Sequence, residues 1–248
     1  MVEGMKSIPA LLKRCCRQWP DKPVVVLPST YYYPTRPFAE EIGERSGAVT
    51  LFCREPYSYR HLRNEHQFPS NCAIHLDHDM AFELADSPFV ERLRAMQPRH
   101  VLIVERTDVE HHKVAMDSKN LWLRKRAGRI LGKRGKQLLY PFVNFARSRQ
   151  RTSFRQQCEQ LLIESYPDYV ALPRVVRDVS NVNANDFASF QSAIGGAAVV
   201  FTTRLHVGLL AAMIGRPTFI FGGPYHKIRG MYLFSLSGSE GVRFVKPR

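Results

Sequence analysis

The sequence predicts an α/β protein of two Rossmann-like parallel-sheet domains, and three observations carry that reading. Short apolar runs rich in β-branched residues recur along the chain, the pattern of strands buried inside a parallel sheet. Helical patterns alternate with them, giving a β-α-β-α order. Polar and charged residues gather just after successive runs, and in doubly wound sheets the ligand crevice lies at the carboxyl ends of the strands.

Taken in order, Pro9 to Gln18 reads as a helix and Lys22 to Ser29 as a fully apolar strand of the buried type, followed by Tyr31, Tyr32 and Tyr33. Tyrosines at a strand end suit either a carbohydrate pocket or core and rim packing, the commoner use. Phe38 to Arg45 is helical, Val49 to Cys53 is a strand, and Arg54-Glu55-Pro56-Tyr57-Ser58-Tyr59 opens a helix reaching Glu65. Cys72 to Leu76 forms the third strand, with Asp77, His78 and Asp79 at its end and an apolar helix starting at Met80. Val101 to Val104 forms the fourth, followed by Glu105, Arg106, Thr107 and Asp108. Asp77 and Ser58 read best as cap or turn formers. Phe154 to Tyr166 is a helix, Tyr169 to Leu172 a strand, and Asp186 to Gly195 a helix capped near Asn185. Glu240 to Val245 is the last apolar run.

The 248 residues, 44% of them hydrophobic, suffice for a folded protein with a substantial core. No run has the length of a membrane-spanning helix, and the first residues lack the apolar core and cleavage site of a secretion signal. Cys15, Cys16, Cys53, Cys72 and Cys158 show no metal-ligand spacing. Reduced thiols in the cytoplasm, no structural metal and no bound cofactor are the expectation. A formal net charge of +14 points to acidic partners. Much of it lies in Asn120 to Arg155, where Lys and Arg interleave with Trp122, Leu131, Tyr140, Phe142 and Phe145. Such a stretch suits an anionic membrane surface first and a solvated linker second; contact with nucleic acid is not expected. The domain reading is therefore 1–118, a basic interdomain insert at 119–153, and 154–248.

Ala197 to Tyr232 concentrates the chemistry. Ala198 to Phe201 is a strand, Thr202 and Thr203 are N-cap types, and Leu205 to Ile214 is an apolar helix closed by Gly215 before Pro217. Thr218 to Phe221 is the next strand, and the loop after it carries Tyr225, His226, Lys227 and Arg229. Arg204 and His206 stand at the strand-to-helix turn, where helix N–H groups favour an anion. From spacing alone, a solvated arginine and a satisfied histidine fit equally well.

TTRLHVGLLAAMIGRPTFIF followed by PYHKIRGMY resembles the signature segment of the polysaccharide pyruvyl transferase family, an Arg-Leu-His triplet opening a helix and a Tyr-x-Lys-x-x-Gly-x-Tyr loop after the next strand. LPSTYYYP, LFCREPYSYRHL, DHDMAFEL and VLIVERTDVE look like the family's successive strand-end blocks, so the likeness runs from about Lys22 onward. Relatives usually begin with a strand and a Gly-Gly-Gly-Asn-type loop, which this sequence does not show; the amino-terminal half is expected to be incomplete by that strand.

The resemblance implies a GT-B-like pair of domains and a reaction moving the enolpyruvyl unit of phosphoenolpyruvate onto two hydroxyls of one sugar, as a cyclic ketal, with release of phosphate. It implies donor binding by Arg106, Arg204 and Lys227, with Arg54 and Arg229 as weaker candidates, because Arg pairs bidentately with carboxylate and phosphate. It makes His206 the acid/base group and Arg204 its catalytic neighbour, with Asp79, Asp108 and Tyr225 as acceptor-binding or proton-relay candidates. The partners implied are phosphoenolpyruvate and a glycan or lipid-linked oligosaccharide, handled in the cytoplasm or at the inner membrane face. A nucleotide-sugar glycosyltransferase on the same fold, or a non-catalytic basic membrane-associated protein, are the alternatives.

Overall fold

The computed structural model describes residues 7–33, 37–65, 67–105, 152–179, 186–223 and 226–246. The chain divides into two compact units, Met1–Ser87 with His226–Ser239, and Pro88–Tyr225 with Glu240–Arg248. Each holds one all-parallel sheet.

In the first unit α1 (Ser7–Gln18), β1 (Val24–Ser29), α2 (Ala39–Ile42), β2 (Val49–Cys53), α3 (Pro56–Glu65) and β3 (Cys72–Leu76) build a sheet of order β1-β2-β3. Leu51 stands in register with Val26 on one side and Ile74 on the other. The core lies on one face, where Leu12 of α1, Ile42 of α2 and Leu62 of α3 meet Val49, Leu51 and Cys53. Tyr31 and Tyr33 belong to it, each edge-on to Phe38. The other face carries Val25 and Leu27, 58% and 57% exposed. β1 therefore alternates between a covered and an exposed face, although its composition reads as buried throughout.

Two helices differ from expectation for local reasons. α2 stops at Gly43, whose φ of 67° is the left-handed conformation that ends helices. Arg45, expected inside the helix, instead binds the Gly47 and Trp19 carbonyls. After β3 the chain makes a 3₁₀ turn over Met80–Leu84, and Pro88 starts a separate helix.

The second unit holds α4 (Pro88–Arg94), β4 (His100–Val104), α5 (residues 152–165), β5 (Arg174–Arg177), α6 (Phe187–Gly195), β6 (Ala197–Thr202), α7 (Leu205–Met213), β7 (Thr218–Phe221) and, after a long connection, β8 (Val242–Val245). The order β5-β4-β6-β7-β8 is that of a flavodoxin-like doubly wound sheet, with its topological switch point between β4 and β6. Both faces are covered. Leu102, Val104 and Val200 meet α4, α6 and α7, while Val101, Ile103, Val199 and Phe201 meet Cys158 and Leu162 of α5.

The boundary between units thus falls after Ser87, and Val101 to Val104, read from sequence into a first domain ending at 118, pairs with β5 and β6 in the five-stranded sheet. Tyr169 to Leu172 is not a strand. Pro167–Tyr169 is a 3₁₀ turn with Tyr166 and Tyr169 stacked at 6.3 Å, and the strand follows Pro173. The cap of α6, expected near Asn185, is Asp186, which accepts the Ser189 N–H at 2.7 Å. The basic insert lies outside the described residues except at its end.

Between β7 and β8 the chain contributes α8 (Lys227–Met231) and a π-helical turn (Tyr232–Leu236) to the first unit. Among the described residues no helix is long and apolar enough to cross a membrane.

Candidate functional site

In the second unit the switch point is closed by Thr203, whose N–H donates to the Val104 carbonyl at 3.1 Å and ties the end of β6 to that of β4. Arg204 follows as the extended N-cap residue of α7, its N–H donating to Thr202 Oγ1 at 2.9 Å. The two threonines expected to cap α7 instead shape the turn before it. The Arg204 guanidinium donates through Nη2 to Asp178 Oδ1 at 2.9 Å, and the two side chains are only 16% and 14% exposed. Asp178 stands just past β5, so Arg204 joins the carboxyl ends of β5 and β6 across β4.

His206 is exposed, on a helix whose Leu205, Val207, Leu209 and Leu210 are buried. The first turn holds no acidic residue, leaving the positive end of the helix dipole uncompensated by a carboxylate of its own. Gly208 lets α7 approach β7: a Cβ there would stand 2.8 Å from Ile220 Cδ1. This edge combines an oriented guanidinium, an exposed imidazole and a helix N-terminus.

The first unit presents a different edge. Thr30, Arg54 and Asp79 follow β1, β2 and β3; Arg54 donates to Thr30 Oγ1 at 3.0 Å and to Asp79 Oδ2 at 2.6 Å. Asp79 also accepts the Ala81 N–H at 3.0 Å, capping the 3₁₀ turn. Glu55 has no exposed surface and accepts the N–H groups of Tyr57 and Ser58 at 2.7 and 3.0 Å together with the Ser58 hydroxyl. Ser58 Oγ in turn accepts the Tyr31 N–H at 2.7 Å, which locks the start of α3 to the end of β1.

His226 Nε2 lies 3.6 Å from Glu55 Oε1, an ion-pair rather than a hydrogen-bond distance. Its ring sits 5.4 Å from that of Tyr57 and 5.7 Å from that of Tyr32. Burial by itself pushes the Glu55 carboxyl up, but His226 and Ser58 outweigh it and hold the group below its usual range. Gly230 makes this docking possible, since a Cβ there would be 2.7 Å from Glu55 Oε2.

Of the residues singled out in the sequence, Arg204 and His206 are brought together in the second unit, while Asp79 and the half-buried Lys227 belong to the first. Arg106, Asp108 and Tyr225 lie outside the described residues. Sequence reasoning missed Asp178 because the strand before it was placed five residues too early. It missed Glu55 as an organising group, although a carboxylate directly before a proline that opens a helix is a capping signal. Among the described residues no cluster of His, Cys, Asp or Glu could hold a metal ion. All five cysteines are free thiols, and burial pushes Cys53 up to about 12 and Cys72 to about 11.

The family model described as polysaccharide pyruvyl transferase matches residues 11–223. Among solved structures the chain is similar to a functionally uncharacterised protein of Klebsiella pneumoniae subsp. pneumoniae, at 17% identity and a TM-score of 0.54, over 99% of this chain and 72% of that one. At that identity the likeness speaks for the fold alone. No curated protein matches the chain.

Proposed function

The chain belongs to the polysaccharide pyruvyl transferase family, a family of transferase enzymes, and on that premise we propose that it moves the enolpyruvyl unit of phosphoenolpyruvate onto two hydroxyls of one sugar in a surface or exported glycan precursor. One hydroxyl adds to the substituted carbon of the donor while a proton reaches its methylene carbon, making a methyl group. The carbon–oxygen bond to phosphate then breaks, the second hydroxyl takes its place, and the proton it loses leaves with inorganic phosphate.

The observation that carries this reading is the turn at the switch point of the five-stranded sheet, where the Arg-Leu-His triplet opens α7. Arg204 and the helix N-terminus suit the donor's anionic groups and the departing phosphate. His206, exposed beside them, suits proton transfer. The Arg204 guanidinium is aimed by Asp178, so the donor meets a cation whose orientation is set beforehand. Lys227 is a further candidate donor cation, and its charge is tested separately by Lys227→Met.

Calorimetry with phosphoenolpyruvate and phosphate release in the presence of acceptor, on the same preparations, test the assignment. Arg204→Ala is expected to abolish measurable donor binding, since a lost charge-assisted contact in a partly desolvated site costs roughly 2–5 kcal/mol. His206→Gln is expected to keep donor affinity within about tenfold while turnover falls on the order of a hundredfold or more. Normal turnover by the histidine variant would remove its acid/base role.

The basic stretch Asn120 to Arg155 supports a second part of the reading, a peripheral station on an anionic membrane surface. Co-sedimentation with anionic but not neutral vesicles, reversed by salt, is the expected result; equal sedimentation with both would remove it.

A further inference from the structure

We propose that the carboxyl edge of the three-stranded sheet is a neutral-sugar subsite, built from Tyr32, His226 and Tyr57 and positioned by Glu55. The proposal rests on the reading of this chain as a transferase with a sugar acceptor, and it says where one sugar ring of that acceptor is held.

Three observations converge on it. Of the three consecutive tyrosines after β1, Tyr31 and Tyr33 are consumed by the core, whereas Tyr32 is 36% exposed and meets the His226 ring edge-on at 5.7 Å. Tyr57, on the first turn of α3, lies against the same imidazole at 5.4 Å, with the Arg60 guanidinium over its ring at 5.1 Å. The imidazole therefore has two aromatic rings beside it and is itself partly open to solvent, its side chain 21% exposed. Aromatic faces cover the C–H surface of a pyranose, and an imidazole beside them meets its hydroxyls.

The Glu55 carboxylate lies fully buried behind His226, and the neighbouring Arg54 is already joined to Asp79. The Glu55 carboxylate is engaged inside the protein, and the rings and imidazole in front of it suit the C–H faces and hydroxyls of a polyol. It also fixes the imidazole, as two backbone N–H groups and the Ser58 hydroxyl fix the carboxylate.

Glu55 is thus a positioning residue and the two rings with His226 are the contact surface.

Saturation-transfer NMR on the full chain, with methyl β-D-galactopyranoside and methyl β-D-glucopyranoside at millimolar concentration, reads the subsite directly. At least one probe is expected to receive saturation on its ring C–H protons. Tyr32→Ala is expected to weaken it by roughly three- to tenfold, and Tyr32→Trp to restore it. His226→Ala is expected to act similarly, and Glu55→Gln to weaken binding while leaving Tyr32 in place.

Tyr32 is a rim residue, so its variants keep the fold, and thermal melts confirm that. Transfer to neither probe in the wild type, or transfer unchanged in Tyr32→Ala and His226→Ala, would overturn the subsite. Phosphoenolpyruvate calorimetry on the same samples separates the two claims. Donor binding with unchanged sugar contacts defeats only the subsite, whereas ring-dependent sugar binding without donor binding defeats the transferase chemistry and leaves the subsite standing.

Discussion

Each of the two sheets is parallel throughout and built by the same connection logic, yet they are protected in different ways. The five-stranded sheet is sandwiched, with β6 and β7 buried at every position. The three-stranded sheet packs α1, α2 and α3 onto one face and leaves Val25 and Leu27 open on the other. All-parallel sheets are normally covered on both faces, so the second unit holds its edge chemistry on a rigid double-sided core while the first depends on polar clamps at its strand ends. The clamps are visible: Arg54 joins the ends of β2 and β3, and Ser58 joins α3 to the end of β1.

The largest effect of substitution is therefore expected in the sandwiched core. Phe201 has no exposed surface and stacks on Phe219 at 4.8 Å. Phe201→Ala is expected to cost about 3–5 kcal/mol in denaturant unfolding. Leu27→Ala, the same kind of truncation on the open face of β1, is expected to stay within about 0.5 kcal/mol. Comparable losses at both sites would mean that the two sheets are protected alike.

Next in size is the buried carboxylate of the first unit. Glu55→Gln keeps the shape but loses charge-assisted bonds from Tyr57 and Ser58, an expected loss of about 1–3 kcal/mol at neutral pH. The sign with pH follows from the direction of the shift. A carboxyl held below its usual range when folded contributes fully above the unfolded value, and that contribution drains away as pH falls through the lowered folded value. The gap between wild type and Glu55→Gln should therefore be widest near neutrality and close in acid. A gap independent of pH would mean that the group is not ionised in the fold.

What could be read from sequence follows the same division. β2, β3 and β7 end where their apolar runs end, because polar or proline-containing segments bound them on both sides. Strand partners are another matter. A run such as Val101 to Val104 reports that it is buried, not which sheet buries it, and only pairing assigns β4 to the second unit. Arg204 and His206 were legible because they directly follow a strand and open a helix, a purely local pattern. The approach of His226 to Glu55 was not, since it joins segments far apart in the chain through a return path that no local periodicity encodes.

The smallest expected effect probes that return path. Gly230 faces Glu55 and Tyr57 so closely that an added Cβ would stand 2.7 Å from Glu55 Oε2 and 3.0 Å from Tyr57 Cδ2. The obstacle is stiff, because both Glu55 oxygens are held by the start of α3 and cannot swing aside without releasing buried N–H groups. Against this stands the gain from replacing a helical glycine, up to about 1 kcal/mol. The net for Gly230→Ala is thus expected to be a loss of about 1–2 kcal/mol. Gly238→Ala, in the same returning segment but with open space around its Cβ, is expected to be neutral or slightly stabilising. Thermal melts of the pair decide the point. A stabilised Gly230→Ala protein would show that α8 docks loosely and that His226 is not pressed against Glu55, which would also undercut the positioning role given to that carboxylate.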